Sequence, residues 1–464
     1  MTTQAAASIL DPREVLPTRV AILGAGASGI ATAKLCDLYG LDVFVSDTGD
    51  AQSLEAGLHA HGLAHLPHEA GQHTGRVLTY DCMVVSPGIR PDTPIIAQAR
   101  ARNIPVTTEI DIAFAISRTP MLAVTGTSGK TTVVTMLAHI LDAAGIRSMA
   151  AGNIGTPLIQ AVQQYGPADC LAVEVSSFQL LYAERFAPAG AALLNIGKNH
   201  LDWHADMDEY IGAKQRIARH MGSDAFLVCN GDDTALVEWG KACQERTTVI
   251  WAGAHAYGAN RVQVTNEGIV GTRDGTAVRL AGMDAVKVRG AHNAFNASVA
   301  AAMAWWYGIP ADAITEGLSR FQGLPHRLAY VDTIDGVSYY NDSKATTAES
   351  VATALQSFDA PVYLIAGGKD KGCGFSGIGD TVGKKVTHAF LIGEAAARIE
   401  SEWKDRTAMT RCASLHEAVD RAAHAARPGS IVLLSPGCSS FDMFDNYAHR
   451  GKCFIDLVHR LRNE

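Results

Sequence analysis

The chain has 464 residues, with 39 Lys+Arg against 47 Asp+Glu, a formal charge of −8, 47% apolar residues and 19% charged ones. This composition is globular and excludes a disordered or fibrous chain; at roughly 100–200 residues per domain it predicts about two to four domains. The mild acidity argues against a broad nucleic-acid-binding face, because phosphate neutralisation needs a basic surface.

No stretch approaches the roughly 20 apolar residues that span a bilayer. The segment MTTQAAASILDPREVLP lacks the basic start and apolar run of a secretory signal. The nine cysteines show no CxxC pair and read as reduced cytosolic thiols in a chain with ample core. A soluble cytoplasmic protein is expected, without nucleic-acid or membrane partners.

Short apolar, β-branched runs alternate with helical patterns: Arg19–Leu23, Asp42–Ser46, Cys82–Val85, Met121–Thr125, Leu171–Val175, Ala191–Asn195, Val362–Ala366 and Ile431–Leu434. Strands of this kind, each followed by a helix, predict an α/β fold of parallel sheets with crossover helices. Ligands on such sheets bind at the carboxyl ends of the strands. Three blocks emerge: residues 1–108 with a glycine-rich first turn, 109–323 with a second phosphate-type loop, and 324–464 after Gly323-Leu324-Pro325. Thr248–Leu280 breaks the alternation and is expected to be a small antiparallel excursion.

In the first block, Gly24-Ala25-Gly26-Ala27-Ser28-Gly29 follows a strand and opens a helix, and Asp47 ends the next strand. Glycines there allow a tight turn and close approach of backbone to phosphate, while an acid at that distance takes ribose hydroxyls. NAD is the obvious ligand, other nucleotides use the same device, and a ligand-free turn has the same pattern. The histidines at 59, 61, 65, 68 and 73 have no cysteine or carboxylate pattern beside them and read as a solvated face.

In the second block, the strand Met121–Thr125 runs into Gly126-Thr127-Ser128-Gly129-Lys130-Thr131-Thr132, followed by apolar residues at Val133, Met136, Leu137, Ile140 and Leu141 with helical period. Backbone N–H groups of such a loop hold phosphates, Lys130 adds charge, and the Thr131 hydroxyl is placed to reach Mg²⁺. Val124 stands where the common P-loop pattern has glycine, so the loop is a shortened variant. Glu174 ends an apolar strand, where a carboxylate is costly unless paired or bound to metal. His200 ends the strand segment Leu193–Asn199. His200 and His204 have the spacing of a helical zinc pair, but no glutamate follows in the right place. Lys214 is by spacing alone an anonymous surface lysine.

In the third block, three polar clusters each follow an apolar strand: Asn341-Asp342-Ser343-Lys344-Ala345-Thr346, Gly367-Gly368-Lys369-Asp370-Lys371-Gly372 and Ser435-Pro436-Gly437-Cys438-Ser439-Ser440-Phe441-Asp442. They should gather on one edge of one sheet, where cations and hydroxyls suit an anionic substrate and a phosphate tail.

Taken in order, these segments, with Gly152-Asn153-Ile154-Gly155, Glu174-Val-Ser-Ser-Phe-Gln, Asn199-His200-Leu-Asp, Tyr210-x-x-Ala-Lys214, His292-Asn293-x-x-Asn296 and His326-Arg327, resemble the ATP-dependent Mur ligases over essentially the whole chain. The resemblance implies three domains: a Rossmann-like N-terminal domain, a central P-loop-type mononucleotide-binding ATPase domain and a Rossmann-like C-terminal domain. It also implies ATP-driven addition of D-glutamate to UDP-N-acetylmuramoyl-L-alanine through an acyl phosphate, by a monomer, in peptidoglycan synthesis. An L-glutamate-adding variant and an NAD-dependent oxidoreductase are the alternatives. The first loop is then reassigned from NAD to the UDP of the substrate, with Ala27, Ser28, Asp47, Thr48 and Gly88 at the nucleotide and Asn153, Ser176 and His200 nearer the reacting end. Gly126, Thr127, Ser128, Gly129, Lys130, Thr131, Thr132, Asn296, Arg327, Asp342 and Lys344 match ATP-contacting positions. Thr131 matches the first Mg²⁺ position; Glu174, His200 and a carbamylated Lys214 match the second; Lys130, Glu174, His200 and Lys214 form the catalytic set. Thr346, Lys371, Ser440 and Tyr447 match the glutamate pocket. Ser128, Lys198, Phe441 and Tyr447 depart from the family's usual residues.

Overall fold

The computed structural model describes residues 9–197, 199–200, 203–370, 372 and 374–462. Its strands are short apolar runs whose alternate residues enter different cores, as expected of sheets covered on both faces. In the first sheet, Val20, Ile22, Val43, Val45 and Val84 join one buried cluster, and Ala21, Leu23, Phe44, Met83 and Val85 join the other. Among the described residues this sheet runs His68–Glu69, Asp42–Ser46, Arg19–Leu23, Cys82–Val85, Val106–Thr107, all parallel. The crevice between Arg19–Leu23 and Cys82–Val85 is where the strand order reverses, and both the glycine-rich loop and the Ser86-Pro87-Gly88 turn lie there.

The second sheet runs Thr276–Ala281, Gly268–Arg273, Arg261–Thr265, Thr248–Ala252, Phe226–Asn230, Gly190–Leu193, Met121–Thr125, Cys170–Glu174, Ser148–Gly152. Two expectations need correction. Thr248–Ala252 belongs to the parallel part of the sheet, paired in register with Phe226–Asn230, and only the strands between Arg261 and Ala281 are antiparallel. Four of its five residues are buried, so it is a covered strand and no surface excursion. The strand expected to run on to Asn199 stops at Leu193, because Asn195 serves the glycine loop: its carbonyl accepts from Thr127 N at 3.0 Å and its side chain accepts from Ser128 N at 2.9 Å.

These two sheets form one compact unit, residues up to Val286 together with His292–Phe321, and the buried cluster holding Val20 and Ile22 continues through Met121, Leu171 and Val173. A second unit comprises Lys287–Ala291 and residues from Gln322 onward. Its sheet runs Ala329–Ile334, Val337–Asn341, Ile431–Leu434, Val362–Gly367, Val386–Ile392, Ala408–Arg411, parallel except for the first pair. The three strands that precede the polar clusters are neighbours, so the clusters do share one sheet edge.

The described cysteines are all free. Among the described residues no helix is long and apolar enough to cross a membrane.

Helix Lys130–Ala143 buries the expected stripe of Val133, Met136, Leu137, Ile140 and Leu141. Against it lies Ala311–Arg320, where Gly317 permits backbone contact: a Cβ there would sit 2.3 Å from Ile140 Cα and 2.6 Å from its nitrogen. Gly317→Ala should therefore destabilise the unit by about 1–3 kcal/mol, in spite of alanine's better helix propensity, and lower the urea midpoint accordingly.

Candidate active site

The glycine loop of the second sheet starts where Met121–Thr125 ends and closes at Gly129, which has φ +86° and carries the first turn of helix Lys130–Ala143. A Cβ at Gly129 would fall 2.6 Å from Asn296 Oδ1, which puts Asn296, nearly buried on helix Ala291–Trp306, directly against the loop. Lys130 Nζ folds back to donate to the carbonyls of Gly126 (2.8 Å) and Thr127 (3.1 Å). Thr132 lies in the first turn of the same helix.

Glu174, 4% exposed, ends its strand beside this helix. Its carboxylate is satisfied on both oxygens: Oε2 accepts from Thr131 Oγ1 at 2.8 Å and Oε1 from Asn153 Nδ2 at 3.0 Å. A hydroxyl and a carboxylate together are hard oxygen donors, the set that Mg²⁺ prefers. Lys214, an anonymous surface lysine by spacing, is 2% exposed, donates to Gly126 O at 2.8 Å and lies 4.7 Å from the Tyr210 ring centroid. Burial, reinforced by the Lys130 charge, pulls its amine down to about 6, although Glu174 opposes the shift. Tyr210 OH is 2.9 Å from Thr127 Oγ1, which also accepts from Gly197 N at 2.8 Å. The motif Tyr210-x-x-Ala-Lys214 assigns Tyr210 no role, though it lies one helical turn before Lys214 and therefore on the same face.

His200 has a left-handed φ of +56°, uncommon for a residue with a side chain, and its ring is 4.8 Å from that of Phe178. His204 is no zinc partner for it: its nitrogens engage Ser177 Oγ (2.9 Å) and Glu209 Oε2 (3.1 Å). Among the described residues no three His, Cys, Asp or Glu side chains come together as a metal site. Lys198, one of the departures from the family's usual residues, lies outside the described residues.

At the first sheet, Ala27 and Ser28 begin helix Ala27–Leu38. Asp47 Oδ2 accepts from Ala25 N at 2.6 Å and Oδ1 from Gly49 N at 2.7 Å, so it ties the glycine loop to the next strand end. Ser86 Oγ donates to Gly24 O at 2.9 Å across the crevice, and Thr48 and Gly88 stand exposed at its rim. Ser176 caps helix Ser177–Leu180 in a reciprocal box with Gln179. The histidine-rich segment is not uniformly a solvated face: His73 Nδ1 lies 2.7 Å from Ser46 Oγ, and its Nε2 is buried without a hydrogen-bond partner.

In the second unit, Asp342 is buried; Oδ2 accepts from Ser435 Oγ at 2.8 Å and Oδ1 from Leu328 N at 3.1 Å. Burial lifts its carboxyl to about 7, against those two bonds and the charge of Arg327. Lys344 Nζ lies 3.9 Å from the Tyr447 ring centroid. Ser440 is buried, Thr346 is partly buried, Phe441 is exposed and Lys371 lies outside the described residues. Arg450, unremarked in the sequence, is fully buried and donates to neutral acceptors: Ser343 Oγ (2.9 Å) and O (2.8 Å), Cys438 O (3.1 Å) and Ser439 O (3.3 Å). It thus fastens two of the three polar clusters to helix Tyr447–Leu461.

A strand-to-helix phosphate loop carrying Lys130 and Thr131, with a carboxylate at the neighbouring strand end, defines a nucleoside-triphosphate-binding domain. The comparisons with known proteins agree. The description "Mur ligase MurD-like, N-terminal domain" matches residues 18–108, "Mur ligase middle domain" residues 124–304, and "Mur ligase, glutamate ligase domain" residues 326–438. The chain is 37% identical over 471 aligned residues to UDP-N-acetylmuramoylalanine–D-glutamate ligase of Salinibacter ruber, covering 97% of this chain and 100% of that protein. It is 36% identical to the ligase of the same name from Geobacter sp. strain M21, over 96% and 98% of the two chains. Among solved structures, MurF ligase of Thermotoga maritima with ADP is similar in fold at a TM-score of 0.61 and 14% identity, covering 100% of this chain and 99% of that one. A pseudomurein peptide ligase type C from Methanothermus fervidus is similar at 0.58 and 18%, over 96% and 100%. The chain belongs to the Mur ligase family, with its three-domain α/β architecture.

One pH dependence follows from Asp342. Folded, it keeps its proton up to about pH 7; unfolded, it releases it near about 3.9. Between those values the folded state binds more protons, so Asp342 lowers stability as pH rises through that window. Urea unfolding across pH should show Asp342→Asn gaining on the wild type from about pH 4 to about pH 7, then holding constant.

Proposed function

We propose that this protein is the cytoplasmic ligase that joins D-glutamate to UDP-N-acetylmuramoyl-L-alanine at the expense of ATP, in peptidoglycan synthesis. The observation that carries the reading is the 37% identity, over 97% of the chain, to the Salinibacter ruber ligase of that activity. An oxidoreductase would leave the second phosphate loop without a task.

In this reading residues 1–108 hold the uridine nucleotide, 109–323 hold ATP and 324–464 hold glutamate, and the protein acts as a monomer. Ala27, Ser28, Asp47, Thr48 and Gly88 bind UDP; Asn153, Ser176 and His200 lie toward the alanyl end. The alanyl carboxylate attacks the γ-phosphorus of ATP, ADP leaves, and an acyl phosphate forms. The glutamate amine then attacks that carbonyl, an amide forms and phosphate departs. Lys130 exchanges the carbonyls of Gly126 and Thr127 for phosphate oxygens and spreads the charge of the transferring group. Gly126–Thr132 supply backbone donors, and Asn296, Arg327, Asp342 and Lys344 complete the ATP contacts. Thr346, Lys371, Ser440 and Tyr447 hold glutamate, Lys371 and Ser440 gripping its side-chain carboxylate with charge-assisted bonds worth roughly 1.5–3 kcal/mol each.

Mg²⁺, held by Thr131 and by Glu174, His200 and a carbamate on Lys214, would neutralise the phosphate oxygens when bound. The Thr131–Glu174 oxygen pair fits one such ion. The buried, largely uncharged amine of Lys214 is the form that adds CO₂, and a carbamate would convert a misplaced cation into an oxygen donor.

Two experiments test this. Phosphate release from ATP with UDP-N-acetylmuramoyl-L-alanine should be high with D-glutamate and low with L-glutamate or other amino acids; preference for L-glutamate would replace the assignment with its variant. Lys214→Ala should lose ligation by about a hundredfold or more, and short carboxylic acids should restore part of it. Undiminished activity would remove Lys214 from the site.

A further inference from the structure

Glu109 lies between the segments matched by the N-terminal and middle family descriptions, which end at residue 108 and begin at residue 124. Nothing in the reaction above uses it. It opens helix Glu109–Ile116 and is 2% exposed. Its Oε2 accepts from Ile159 N at 3.0 Å and its Oε1 from Gln179 Nε2 at 3.3 Å. Among the described residues no lysine or arginine pairs with it.

The two donors come from separated segments. The carboxyl itself stands at the start of the helix that follows strand Val106–Thr107 of the first sheet. Leu158 and Ile159 start the short helix beyond Gly152-Asn153. Gln179 closes the box whose Oε1 accepts from Ser176 N at 3.0 Å and Ser176 Oγ at 2.9 Å. Thr108 Oγ1 pins the same residue from the other side by donating to Gln179 O at 3.2 Å. A buried carboxyl with no cation costs more than an apolar side chain of its size. Burial indeed raises this one to about 7 despite all those bonds. Packing alone gives no reason for an acid here.

We propose that Glu109 is a positioning residue for the uridine-nucleotide substrate, its carboxyl holding the Ser176–Gln179 box and the Ile159 helix start beside the second sheet in a fixed register with the end of the first. This rests on the function proposed above. The nucleotide's diphosphate and its muramoyl part then meet donors whose separation is set before binding, which reduces the ordering needed on association.

The test is calorimetric titration of the full chain with UDP-N-acetylmuramoyl-L-alanine and, separately, with a non-hydrolysable ATP analogue. Glu109→Gln keeps the volume but turns one acceptor into a donor facing donors. Its Kd and KM for the uridine substrate should rise about tenfold, while affinity for the ATP analogue stays that of the wild type. Gln179→Ala cuts the link from the other end and should weaken the same ligand, with the double variant less than additive. It carries the test alone if Glu109→Gln does not fold. Unchanged uridine-substrate affinity in a folded variant, or equal losses for both ligands, would overturn the proposal. A wild-type protein that does not bind the uridine substrate would instead refute the function itself.

Discussion

The hydrogen bond between Thr131 and Glu174 joins the two features on which the central site depends: the first turn of the helix after the phosphate loop and the end of the adjacent strand. The sheet places them side by side because Met121–Thr125 and Cys170–Glu174 pair in parallel, Val124 opposite Glu174. A carboxylate at that depth is tolerable only with donors on both oxygens, and Thr131 and Asn153 provide them. The loop's shape follows from the same constraint. Its helix starts from a left-handed glycine, and Asn195 leaves the strand ladder to brace it. Lys214 and Tyr210 reach the loop from a different helix, so one short turn is fixed by its own helix, by the Asn195 segment and by helix Met207–Gln215.

Much of this was legible in the sequence because it is local. Runs such as Arg19–Leu23, Cys82–Val85 and Ile431–Leu434 are apolar at every buried position, and strands covered on both faces leave that signature. The helix stripe Val133–Leu141 and the glycine loop before it are equally plain. Thr248–Ala252 was misjudged because glycines and turn residues follow it closely, and only its neighbour Phe226–Asn230 reveals that it extends the parallel sheet. The strand through Asn199 was overextended because nothing local shows that Asn195 bonds to a loop some 70 residues earlier.

The site residues divide along the same line. Lys130 and Thr131 announce themselves by spacing, and Glu174 by its incongruous charge. Lys214 and Asn296 entered only through resemblance, since their partners, Gly126 and Gly129, are remote in sequence. Glu109 and Arg450 gave no signal at all. Each is an ordinary charged residue in a helix until the fold encloses it, and the partners that justify its burial lie on other elements.

Arg450 carries a consequence for selectivity. A guanidinium sunk in the second unit, hydrogen-bonded to uncharged oxygens and answered in part by the charge of Asp442, sends a positive field through an interior that screens it poorly. That field acts on whatever settles over the Ser343–Lys344 and Ser439–Ser440 turns. An acidic guest is drawn toward this corner of the sheet and a basic one repelled, before any surface side chain has made contact.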